Sequence, residues 1–151
     1  MDELARLIAI EEIKVLKARY FRYVDLKDWV GLRGLFCEHA TIHYTDGDQG
    51  PQPLDAAMQF VRTALDDDSI SLHHGHMPEI EIIGPDRARA IWAMEDRVYW
   101  PENSTNPLGI LKMHGVGHYH ETYERHERWL IASLTLTRLR RSIELRPQRV
   151  L

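Results

Sequence analysis

The stretch Arg87-Ala88-Arg89-Ala90-Ile91-Trp92-Ala93-Met94-Glu95-Asp96-Arg97-Val98-Tyr99-Trp100 alternates with the period of a β-strand. Successive strand side chains point to opposite sides of a sheet. Ala88, Ala90, Trp92, Met94, Asp96 and Val98 therefore share one face, and Arg87, Arg89, Glu95 and Arg97 share the other. The first row belongs to an interior and the second to water. Asp96 is the exception within its row. An unpaired carboxylate on an apolar face is costly, so Asp96 must find a cation, reach water or hold a proton, which makes it a site candidate.

The chain on either side of this strand has the same character as far back as residue 69 and as far forward as residue 144. Segments 69–83, 110–125 and 129–144 are β-rich, and the joins carry turn residues: Gly84-Pro85-Asp86, residues 101–109, and His126-Glu127-Arg128. This predicts an antiparallel meander. The segment 110–125 has two mixed faces, Gly115, Gly117, Tyr119, Glu121 and Tyr123 against Val116, His118, His120 and Thr122. In segment 129–144, Arg138 ends an apolar row of Leu130, Ala132, Leu134 and Leu136, much as Asp96 stands in its own.

The first half of the chain reads as helices. Ile10, Ile13, Leu16, Tyr20 and Val24 form one stripe of a long amphipathic helix over residues 4–26, with Asp25 on its flank beside Phe21. Asp28 is a good N-cap for a second helix over 29–36. A short strand is expected over 40–44, a loop over 47–53 and a third helix over 54–65. Helices followed by long strands define an α+β domain, in which the helices cover one face of a strongly curved, mostly antiparallel sheet. The expected organisation is one domain over residues 1–145 with a C-terminal tail, 146–151.

Composition narrows the partners. The chain has 151 residues, 44% of them hydrophobic, and 19 basic against 23 acidic residues give a net charge of -4. That balance offers no strong field for nucleic acid or an anionic membrane. The basic end, Arg138, Arg140, Arg141, Arg146 and Arg149, reads as a strand with one solvated face and a frayed tail. A single cysteine, Cys37, excludes an internal disulfide framework and reads as a packing residue. The acidic, periodic start is unlike a signal peptide, and no apolar run is long enough to span a bilayer, so a cytoplasmic location is expected.

Nine histidines are many for this length, and three of them, His73, His74 and His76, cluster at the start of one strand. A neutral imidazole can be base, acid or metal ligand. His118-x-His120 with Glu124 has the look of half a metal motif, but no second half follows, so no metal is expected. His39, His114 and His126 read as residues of outer faces, turns or a subunit contact, whereas His73 is the expected working group.

Three segments carry a resemblance: Ala18-Arg19-Tyr20-Phe21-Arg22-Tyr23-Val24-Asp25-Leu26-Lys27-Asp28-Trp29, Ser71-Leu72-His73-His74-Gly75-His76-Met77-Pro78-Glu79-Ile80, and Trp92-Ala93-Met94-Glu95-Asp96. Their order, with Trp129 and Arg138 closing the set, resembles the SnoaL-like, nuclear transport factor 2-like superfamily over nearly the whole chain, and within it the scytalone dehydratase and bile-acid dehydratase group. The resemblance implies a cone-shaped α+β barrel whose site residues fall on Tyr20, Asp25, His73, Asp96 and Arg138. It leaves open whether Asp25 or Asp96 partners His73. Two departures stand out: the strand with Trp92 and Trp100 lacks the histidine that scytalone dehydratase has there, and the family's pocket asparagine falls near Glu121.

The implied activity is a cofactor-independent dehydratase that eliminates water from an apolar hydroxy-carbonyl compound, steroid-, polyketide- or aromatic-like, by His/Asp acid–base catalysis. The alternatives are a non-catalytic small-molecule-binding module and an isomerase or cyclase of the ketosteroid or polyketide kind. Trp92, Met94, Val98, Tyr119 and Glu121 are the expected lining of the substrate site, for a body of ring size or larger. Relatives of this kind pair through their sheets, so a homo-oligomer, dimer or trimer, is expected.

Overall fold

The computed structural model describes residues 1–44, 49–104, 106 and 108–147. Helix α1 spans Glu3–Leu26, α2 Trp29–Arg33 and α3 Leu54–Ala64; strands are β1 Phe36–Tyr44, β2 Gln52–Pro53, β3 Ile70–Ile82, β4 Arg87–Tyr99, β5 Ile110–Arg125 and β6 Trp129–Leu145. They form a six-stranded sheet in the order β2-β1-β6-β5-β4-β3. The meander from β3 to β6 is antiparallel throughout, while β1 joins β6 in parallel. The α+β class is as expected. Three boundaries differ: α2 stops at Arg33, β1 begins at Phe36 rather than residue 40, and the loop expected over 47–53, of which 47 and 48 lie outside the described residues, ends in the short strand β2. Leu35 and Phe36 are buried as connection and strand rather than as the end of a helix.

The chain ends α1 deliberately. Asp2 caps its start by accepting from the Ala5 N–H at 2.7 Å. Lys27 closes it in the left-handed region, φ 57°, its N–H bonding back to the Tyr23 and Val24 carbonyls. The Lys27 ammonium then donates to the Ser69 carbonyl at 2.5 Å. This clamp ties the end of α1 to the start of β3, so that Asp25 comes to lie against Ser71 and His73. Asp28, as expected, caps α2 through the Gly31 N–H at 2.9 Å.

The row Ala88 to Val98 is buried, as its alternation requires, and Gly115, Gly117, Tyr119, Glu121 and Tyr123 are the buried face of β5. On β6 the alternation is interrupted. Thr122 pairs with Ser133 and Tyr123 with Ile131, which leaves Ala132 as an extra residue. The bulge turns Trp129 and Ile131 inward before it and Leu134, Leu136 and Arg138 inward after it. A second extra residue, Leu139, lies between Arg138 and Arg140, the partners of Gly117 and Val116. These irregularities bend the sheet around α1, whose Ile13, Leu16, Tyr20 and Val24 complete the core.

Candidate active site

His73 and Asp25 form a close pair. The carboxylate of Asp25 meets three groups of β3: the His73 ring Nδ1 at 2.7 Å, the His73 backbone N–H at 3.0 Å and the Ser71 hydroxyl at 2.9 Å. One contact would leave the carboxylate free to swing; three fix both oxygens and thereby the plane of the imidazole. With Nδ1 facing an anion, the neutral ring carries its proton on Nδ1 and leaves Nε2 as a base. The pair is mostly buried but not sealed, with side-chain exposures of 10% for His73 and 22% for Asp25. Asp25 is thus the histidine's partner, and Ser71 is a site residue that sequence reasoning missed.

Asp96 lies directly across from His73 in the strand pairing, yet it serves a different group. Its two oxygens accept from Arg138 Nη1 at 2.9 Å and Nη2 at 2.7 Å, a two-point ion pair with side-chain exposures of 3% and 10%. The pair spans β5 over Gly115. A Cβ at that position would stand 1.9 Å from Arg138 Nη1 and 2.4 Å from Asp96 Oδ1, so only glycine leaves room for it. Gly75, opposite Met94, makes a similar allowance for the Phe21 ring.

The sheet is curved but not closed into the barrel that the resemblance implied, and between it and α1 lies a group of buried polar side chains. The Tyr20 hydroxyl donates to that of Tyr44 on β1, and burial pushes both phenols up, Tyr44 to about 12. Beneath them lies Lys17, wholly buried, its ammonium on the Glu121 carboxylate. Tyr123 donates to the other oxygen of Glu121, and Trp92 Nε1–H donates to the Tyr123 oxygen at 2.9 Å. Of the expected lining residues, Met94, Val98 and Tyr119 are buried, and Glu121 has both oxygens occupied by the protein's own donors. Lys17 and Tyr44 were not read from the sequence. Lys17 was legible in principle, since it falls between Ile13 and Tyr20 on the buried stripe.

The remaining histidines lie apart from this constellation. His39, His114 and His126 are exposed, as expected, and pair with Glu124, Glu95 and Glu124 respectively. His118 and His120 share the outer face of β5, but Glu124 lies with Cys37 and His126 instead, their ligand atoms within 4.8 Å of one another. Two open concavities, of about 750 and 660 Å³, lie along α1 near α2 and beside β3 to β6, and neither is lined by His73 or Asp25. The expected frayed tail includes residues 148–151, which lie outside the described residues, whereas Arg146 is anchored to the Asn106 and Gly109 carbonyls. No helix among the described residues is long and apolar enough to cross a membrane.

The model of the SnoaL-like domain family matches residues 5–135. Among solved structures, the fold is shared with the Kfla4162 protein of Kribbella flavida, at 22% identity over 91% of this chain and 95% of that one, with a TM-score of 0.79. A Novosphingobium aromaticivorans protein with a provisional scytalone dehydratase assignment is similar at 14% identity over 97% of both chains, TM-score 0.80. The LinA-type3 hexachlorocyclohexane dehydrochlorinase of Novosphingobium barchaimii is similar at 16% identity over 95% and 94%, TM-score 0.77.

Proposed function

Since the chain belongs to the SnoaL-like family, and its helix aspartate meets a strand histidine at 2.7 Å, we propose that it is a cofactor-independent lyase, eliminating water from an apolar hydroxy-carbonyl substrate. The observation that carries this reading is the Asp25–His73 dyad. Its geometry supplies what an elimination needs first, a base of fixed tautomer with one free nitrogen at the edge of an apolar interior.

His73 Nε2 takes the proton from the carbon next to the substrate carbonyl, and the electrons of that C–H bond pass into the carbonyl as an enolate. Asp25 holds the imidazolium that results, by charge and by the hydrogen bond to Nδ1. Tyr20, whose O–H rests on the Tyr44 oxygen, turns it to the enolate oxygen, directly or through a water. The enolate then collapses and expels the hydroxyl one carbon further on, which leaves as water with the proton returned by His73. Asp96 needs no part in proton transfer, because Arg138 neutralises it.

Structural neighbours named for dehydratase and for dehydrochlorinase reactions support an elimination, and the two differ in the leaving group. Departure of chloride requires no returned proton; departure of hydroxide does. The experiment is a panel of ring-bearing β-hydroxy ketones and acids, assayed for loss of water by mass spectrometry. His73→Ala should lower turnover by about 10²–10⁴-fold with the fold retained. Turnover unchanged in that variant would overturn the assignment, and a product of unchanged mass would make the enzyme an isomerase.

A further inference from the structure

Between α1 and the curved sheet lies an ion pair that the elimination does not use. Lys17 and Glu121 have no exposed side-chain surface at all. Burying an ammonium and a carboxylate is costly even when they are paired, and an apolar pair of similar volume often serves stability as well or better. Their presence therefore asks for a reason beyond packing. Burial lowers the Lys17 pKa, against the opposing pull of Glu121.

The surroundings supply the reason. The Lys17 ammonium lies 3.7 Å from the centroid of the Tyr119 ring, 3.9 Å from that of Tyr20 and 4.7 Å from that of Phe21, so the ring of the proposed donor rests on a cation. Glu121 is the neighbour all these groups must be protected from. One of its oxygens is taken by Lys17 and the other by the Tyr123 hydroxyl. Its charge is also felt at the hydroxyls of Tyr20, Tyr44 and Tyr119. Without Lys17, one oxygen of a dry carboxylate would lack a donor, with tyrosine hydroxyls nearby. A charged acceptor holds an O–H more strongly than a neutral phenol oxygen does.

We infer that Lys17 is a positioning residue, which occupies Glu121 and supports the Tyr20 ring so that the Tyr20–Tyr44 hydroxyl pair stays available to an oxyanion formed beside His73. The inference rests on the proposed role of Tyr20 and adds a second, buried determinant of it. Lys17 itself touches no substrate, because its side chain is enclosed.

The test compares two probes of one size: 4-nitrophenolate, whose oxyanion mimics an enolate, and nitrobenzene, which lacks it. Wild type should bind nitrophenolate more tightly than nitrobenzene and shift its absorbance. Lys17→Met should lower the nitrophenolate affinity about tenfold, the worth of one weakened charge-assisted hydrogen bond, and leave nitrobenzene within about twofold. Lys17→Met/Glu121→Gln guards against a variant that fails to fold; its neutral amide competes less for the hydroxyl, so part of the nitrophenolate preference and of the absorbance shift should return. Equal losses for both probes, or no loss in either variant, would overturn the positioning role while leaving the proposed function standing. Wild type that shows no preference for the oxyanion would overturn both.

Discussion

Replacing Asp25 by asparagine isolates the charge from the shape. The carboxylate accepts from three donors at 2.7–3.0 Å: the His73 ring, the His73 N–H and the Ser71 hydroxyl. An amide of the same size has one oxygen, so its NH₂ group must face a donor. The conflict is relieved most cheaply if the imidazole moves its proton from Nδ1 to Nε2 and accepts from the amide. That tautomer has no free base facing the substrate. The charged hydrogen bond to the imidazolium is worth about 1.5–3 kcal/mol, so any step that charges the ring should slow by about 10–150-fold, before the tautomer change is added. Ring ¹⁵N NMR of the resting enzyme distinguishes the outcomes without a substrate. Wild type should show His73 protonated on Nδ1, and Asp25→Asn should transfer the proton to Nε2. A variant that keeps the Nδ1 tautomer, or a wild type that lacks it, would refute the reasoning.

The Arg138–Asp96 pair invites a second substitution. Arg138→Met strands a carboxylate of 3% exposure and should cost about 3–5 kcal/mol of stability in urea unfolding, with Arg138→Met/Asp96→Leu recovering most of it. Glycine substitutions on β5 should both destabilise in the same assay: the new Cβ of Gly117→Ala lies 2.0 Å from the Thr137 carbonyl oxygen, and that of Gly115→Ala lies 1.9 Å from Arg138 Nη1 and breaks the pair with Asp96. Alkaline pH is a fourth perturbation. The buried phenols of Tyr20, Tyr44, Tyr119 and Tyr123 keep their protons above the free value of 10.0, Tyr44 to about 12. Their stabilisation is present below about pH 10 and lost as pH rises through their folded values, so the chain should unfold on that side with tyrosinate absorbance rising in the same transition. Lys17, whose pKa burial lowers, works in the opposite sense below 10.5, but it is one group against four.

Much of the site was legible because it consists of exceptions to a pattern. Asp96 breaks an apolar row, and Arg138 ends another; each implied the need for the other. The partner of His73 was not legible, because it depends on the angle at which α1 ends. Lys27 sets that angle through a left-handed turn and a bond to the Ser69 carbonyl, features that periodicity does not contain. The apolar row read on β6 holds from Leu134 onward but not before it, for a similar reason: the extra residue Ala132 flips the alternation, so Trp129 and Ile131 face inward in place of Leu130 and Ala132, and a bulge leaves no mark in composition. The parallel pairing of β1 with β6, which brings Tyr44 to Tyr20, joins segments about 90 residues apart and carries no local signal. Lys17 was overlooked because a lysine inside a helix is ordinarily counted on the wet face, though its spacing placed it on the dry one.

The central claim is that His73 removes a proton from the carbon next to a carbonyl. Deuterium exchange tests it directly, since it reports that step even when the leaving group is wrong. In D₂O, wild type should introduce deuterium at the α-carbon of a ring-bearing ketone, read by NMR, and His73→Ala should abolish the exchange while far-UV circular dichroism stays unchanged. Exchange at the same rate in His73→Ala would contradict the account.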